Sequence, residues 1–132
     1  MPELNEIGSA TTTTNVTITT TTEAVAISSG EVRVPNQTAR IVVIGWAQVT
    51  TGAATTTLTP RIRRGTAIKG TLVGEANAEE VKAAAGSTEP VMLIVQEDRA
   101  NEASVEYSLT VQQASATGNG TILQAGIIVL VL

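Results

Sequence analysis

Arg61, Arg63 and Arg64, within RIRRG, are the densest run of positive charge in a chain that is otherwise sparsely basic. Guanidinium groups this close could hold a phosphate, a sialic acid or a neighbour's carboxylate, since each presents a planar fork of donors. The plainer reading is a solvated strand face beside a turn. Carboxylates come in adjacent pairs, Glu79-Glu80 and Glu97-Asp98. Successive side chains on a strand point to opposite faces, so Glu97 and Asp98 do not act together while a strand lasts. Glycosidase chemistry needs two carboxylates about 5–10 Å apart with one pKa raised, and nothing in the sequence indicates a cleft. GTAIKGT, residues 65–71, lacks the spacing of a phosphate loop. The sequons at Asn15, Asn36 and Asn119 are chance matches in so threonine-rich a chain.

Two absences narrow the chemistry further. The sequence has no His and no Cys. Ser-His and Cys-His catalysis, zinc sites of the usual kind and disulfides are therefore excluded. The protein is read as a non-enzyme, with no cofactor and no metal. A net charge of −4 and a pI of 4.7 suit no nucleic-acid partner. The longest uninterrupted apolar run, GIIVLVL at residues 126–132, is too short to span a bilayer, so no membrane partner is expected. MPELNEIGSA has neither a basic nor an apolar region of the kind a signal peptide needs.

What positions these residues is a β framework. Val, Ile and Thr dominate the chain, and their branched Cβ atoms favour pleated strands. Residues 1–13 carry no period and are read as an arm whose Leu4 and Ile7 would contact a partner surface. The segment from Thr11 to Thr22 holds nine threonines, yet Val16 and Ile18 within it keep a period of two, so residues 14–27 are assigned to strand. Ser28-Ser29-Gly30 reads as a turn. ARIVVIGWAQVTTG, residues 39–52, is apolar on both faces. In ATTTLTPRIRRG, Leu58 and Ile62 share one face and Arg61 and Arg63 the other, and Pro60 argues for an edge or a bulge. ANAEEVKAAAG, residues 76–86, breaks the pattern: Asn77 caps, Glu80 follows three residues on, and Gly86 stops a short helix. VMLIVQEDR is again apolar on both faces, SVEYSLTVQQ alternates cleanly, and TILQAGIIVLVL closes the chain.

Roughly eight strands at intervals of about 8–15 residues, with one helix in a loop, read as an antiparallel β-sandwich or jelly roll over residues 14–132. A two-layer sandwich leaves each strand one wet face. Strands 41–46, 91–95 and 127–132 have none. Ile127, Val129 and Val131 would point one way and Ile128, Leu130 and Leu132 the other. The apolar patch this implies calls for a further layer, most simply from another subunit, the alternative being residues 65–90 folded back over it. Trp46 is read as core or interface.

RVPNQTARIVVIGWAQVTTGAATTTLTPRIRRGTAIKG resembles the early strands of jelly-roll proteins in tailed-phage structural modules, where a Trp-bearing strand leads through a Thr/Gly-rich turn into R-I-R-R-G. YSLTVQQASATGNGTILQAGIIVLVL resembles the close of the tumour-necrosis-factor/C1q-like jelly roll. The resemblance covers residues 32–74 and 104–132. It implies a homotrimer whose apolar sheet packs about a three-fold axis, with Trp46, Tyr107, Ile127, Val129 and Val131 at the subunit interface. It implies a capsid decoration protein on the virion surface, made in the host cytoplasm and contacting a major capsid protein. The other role it implies is a receptor- or glycan-binding head of a fibre.

Overall fold

Alternating branched residues become strands along the whole chain. A computed structural model describes residues 6–12, 15–18, 20–34, 39–51, 55–65, 70–76, 79–81, 88–99, 104–114 and 120–132. Among these, the strands are β1 (Glu6–Thr12), β2 (Val16–Thr17), β3 (Ala24–Arg33), β4 (Ala39–Thr51), β5 (Thr56–Arg64), β6 (Thr71–Glu75), β7 (Glu79–Val81), β8 (Glu89–Arg99), β9 (Ser104–Gln113) and β10 (Gly120–Val131). They form two antiparallel sheets. The first runs β1-β10-β4-β8, with β2 continuing β1 along the same edge of β10. The second runs β3-β9-β5-β6, with β7 on the edge of β5 that β6 occupies. The pairing is nested: first strand with last, β3 with β9, β4 with β8, β5 with β6. That is the jelly roll the strand spacing implied.

The core lies between the sheets. Ile41, Val43, Ala47 and Val49 of β4 meet Leu58 and Ile62 of β5 and Val105, Tyr107, Leu109 and Val111 of β9. From β10 come Ile122, Ala125, Ile127, Val129 and Val131, all fully buried. A bulge between Ile122 and Gln124 keeps both halves of β10 facing inward. At the two long sides of the sandwich, edge strands of the two sheets touch through a glycine. A Cβ on Gly8 of β1 would come within 2.3 Å of Val32 on β3, and one on Gly74 of β6 within 2.3 Å of Val95 on β8. Glycine lets the sheets close on each other there.

Several expectations are revised. The arm of residues 1–13 is, over Glu6–Thr12, an edge strand, paired from Glu6 with Val131 to Thr12 with Ala125. Without it, the hydrogen-bonding edge of β10 would be open. An edge strand needs little apolar surface of its own, which is why EIGSATT reads as unstructured. Ile7 stands in register with Leu130, and Leu4 lies outside the described residues. In the helix expected over 76–86, Glu79–Val81 instead pair with β5, where Thr56–Leu58 offer an open ladder. One short isolated helix is marginal in water and loses to those sheet bonds. Residues 77–78 and 82–86 of that segment lie outside the described residues. The turn expected at Ser28-Ser29-Gly30 is a bulge inside β3, where Gly30 takes φ 70°. Pro60 is in a strand flanked on both sides, opposite Val111 of β9. It falls where the outer edge strand is broken between β6 and β7, and its carbonyl accepts from the Ala76 N–H at 3.1 Å. A missing N–H on that side costs no ladder bond.

The inward placement of Val129 has a measurable consequence. Val129→Asp is expected to cost several kcal/mol, or to prevent folding, because it buries a lone carboxylate. Thr17→Asp, on the exposed side of β2, should stay within about 0.5 kcal/mol of the parent. Urea denaturation of both variants checks this.

Candidate interaction surface

The three strands that lacked a polar face are neighbours, β10-β4-β8, so their outward sides merge. Register places Ile128, Ile44 and Ile94 in one cross-strand row and Gly126, Trp46 and Met92 in the next. Leu130, Val42 and Gln96 form the row on the other side. Ile94 is 61% exposed, Met92 59% and Ile128 36%. Trp46 is half-buried against the backbone of Gly126, where a Cβ would meet the indole at 2.3 Å. The ends of the face are polar. Arg40 and Asp98 pair at 3.4 Å at one end, both well exposed. Gln124 donates to Gln48 at 2.6 Å at the other. The result is an apolar, charge-free centre with a polar rim, the layout of a protein-binding patch.

Of the residues expected at a subunit interface, Trp46 lies on this face. Tyr107, Ile127, Val129 and Val131 do not: each is fully buried between the two sheets of one chain. β10 is apolar on both sides, so its sequence shows that two faces are dry but not which is inside. The outward members are Ile128 and Leu130.

The arginines are committed within the chain. Arg61 and Arg63 project from the outer side of β5, opposite Thr110 and Ser108 of β9. The chain crosses from the first sheet to the second just before β3, and Glu23 ends that crossing. Its carboxylate accepts from Arg63 Nε at 2.5 Å and Nη2 at 2.9 Å, and from Arg61 Nη1 at 3.0 Å. Arg61 also donates to Glu75 on β6 at 2.5 Å and to Gln112 on β9 at 2.5 Å. Gln112 in turn donates to the Thr21 carbonyl at 2.8 Å. These long side chains cover β9, and Ser108 and Thr110, although outward, are fully buried. Arg64 faces the other way. It reaches Glu97 of β8 at 2.7 Å, and the Tyr107 hydroxyl donates to the other oxygen of Glu97 at 2.5 Å. This group bridges the two sheets at one end of the core. Asp98, next in sequence, points out to Arg40, so the adjacent carboxylates are split as the strand period requires. An anion would have to displace three carboxylates to reach the arginines. Among the described residues no acidic cluster fit to hold a metal ion forms.

Glu23 could not have been singled out in sequence, since its partners lie 38 and 40 residues away. Hydrogen bonding from Arg63, reinforced by the nearby charges of Arg63 and Arg61, holds its carboxyl below the usual range despite the opposing effect of burial. The same bond pushes the Arg63 guanidinium up.

No family model matches the chain, and no curated protein matches it. Solved structures do. A chain in the structure of infectious bursal disease virus Gx strain is similar with a TM-score of 0.54 and 11% identity, over 98% of this chain and 32% of that one. The Gt strain of the same virus gives 0.50 and 10% identity, over 98% and 33%. What is shared is the fold. The protein therefore spans about a third of those viral chains. A carbohydrate-binding module of Cellvibrio mixtus lichenase 5A gives 0.45 and 14% identity, over 95% and 88%.

The Glu23 clamp generates a pH prediction. With its folded pKa below the unfolded value, Glu23 contributes stability that is complete above the ordinary carboxylate range. That contribution is lost as pH falls through the folded value. Glu23→Gln is expected to cost about 1.5–3 kcal/mol at neutral pH, the scale of hydrogen bonds to charged groups. The deficit should shrink on acidification. Denaturation midpoints of both proteins from pH 7 to pH 2 test it.

Proposed function

We propose that the protein is a virion structural component that packs against copies of itself through the outer face of β10-β4-β8 and decorates a phage-like capsid. The observation that carries this reading is the apolar centre at Ile44, Trp46, Met92, Ile94 and Ile128. Each such side chain moved out of water contributes very roughly 1.5–3 kcal/mol, so several together favour a covered state. The polar side of the molecule supports the same reading. Around Glu23 and Glu75, Arg61 and Arg63 are neutralised and cover β9, and apart from Leu72 of β6 the exposed large apolar side chains of the described residues lie on the first sheet. The jelly roll, shared with domains of the virus structures above, is a fold compatible with such a role. A homotrimer is the form of self-association implied by the sequence resemblance, and a major capsid protein is the partner that would anchor the assembly on the virion surface. The role is one of packing and involves no catalysis.

Mixing the purified protein with undecorated capsids and sedimenting them should carry it down in a fixed ratio to the major capsid protein, while a glycan array should give no selective hit. Selective glycan binding without capsid binding would instead make it a receptor- or glycan-binding head. Ile128→Asp, on the outer face and clear of the core, should keep the fold by circular dichroism and lose at least about tenfold in self-association, the equivalent of ~1.4 kcal/mol.

A further inference from the structure

The first sheet ends at β8, and among the described residues β8 pairs with β4 alone. On its other side no described residue pairs with Glu89–Arg99, a long run for an edge, and β6 of the second sheet touches it at Gly74 and Val95. Edges are ordinarily guarded by lysines, central prolines or bulges. Here the centre, Val91 to Val95, is uncharged, Pro90 sits near the start, and β8 pairs with β4 without a register shift. The two most exposed large apolar side chains of the described residues, Met92 and Ile94, stand on this same strand.

We propose that β8 pairs with β8 of a second copy, antiparallel and about a two-fold axis, extending the first sheet from one chain into the next. The proposal rests on the self-association read above and adds to the outer-face contact a second, edge-to-edge one, whose two-fold symmetry gives even numbers of chains where the sequence resemblance implies three. The occupant is argued from the charges of the strand. Centring the pair on Ile94 sets Ile94 against its own copy, Gln96 against Met92, Val95 against Leu93 and Glu97 against Val91. It also sets Arg99 against Glu89, and the symmetry makes that opposite-charge match twice. Centring it on Leu93 would set Glu97 against Glu89, like charge against like. Apolar residues oppose one another at the centre of either register, so charge decides between them, for the one centred on Ile94. In that register every pair of facing residues shares a face of the sheet, since opposite positions are an even number apart. The outer faces of the two copies then become one continuous apolar surface, with Met92 and Ile94 of both chains at its middle.

Within one chain, Arg99 stands beside Ala39 and Glu89 beside Val49 of β4. In the β4 register neither position faces a charged residue of its own chain. Light scattering on the intact chain should report an even multiple of the 13.6 kDa chain mass. Glu89→Arg and Arg99→Glu, each alone, should weaken association about tenfold, while the double variant restores it. Circular dichroism of each variant establishes that the chain remains folded. Amide exchange of the parent should slow along β8 as concentration rises, which needs no variant. Three chain masses, or a mass indifferent to both charge reversals, would overturn the edge pairing and leave self-association through the face standing. A single chain mass at micromolar concentration would overturn both.

Discussion

The pairing of the first strand with the last is the constraint on which the rest of this molecule depends. β10 lies inside the first sheet, between β1 and β4, and contributes the largest block of buried apolar side chains. Every other pairing is nested within that one. Such a fold is dominated by contacts between residues far apart in sequence, and loops must close before the contacts reward it. Glycine at the two seams, facing Val32 and Val95, lets the closed form draw tight.

The two sheets solve the same surface problem in opposite ways. The second covers much of its outer side with long charged side chains, and Glu23 and Glu75 join Arg61 and Arg63 into a network without surplus charge. The first leaves Met92, Ile94 and Ile128 uncovered in a field of apolar neighbours. That asymmetry gives the sandwich a charged side and an apolar side. Arg64, Glu97 and Tyr107 hold the sides together, crossing the core where a polar group is tolerated only because each has a partner.

Much of this was legible in the residues. Alternation along SVEYSLTVQQ put Val105, Tyr107, Leu109 and Val111 inward, and so the structure has them. The doubly apolar strands 41–46, 91–95 and 127–132 announced an apolar outer face, and they proved to be adjacent. What stayed hidden was which of two equally apolar sides of β10 is the inner one, since a period of two cannot tell in from out. The clamp at Glu23 was hidden as well, because it depends on strands brought together by topology. EIGSATT and AEEV misled for a related reason: edge strands are made by the ladder they complete, more than by their own composition.

The nested pairing also decides how the molecule bears load. Glu6 stands directly opposite Val131, so the two ends of the described chain leave from one corner of the first sheet. The hydrogen bonds between β1 and β10 lie across the strands. A pull on both ends acts along those bonds and opens them one after another, as a zipper opens, with no resistance shared among them. Force applied across the broad faces instead meets whole sheets at once. A body built this way is mechanically weak as a link in a string and strong as a tile in a shell.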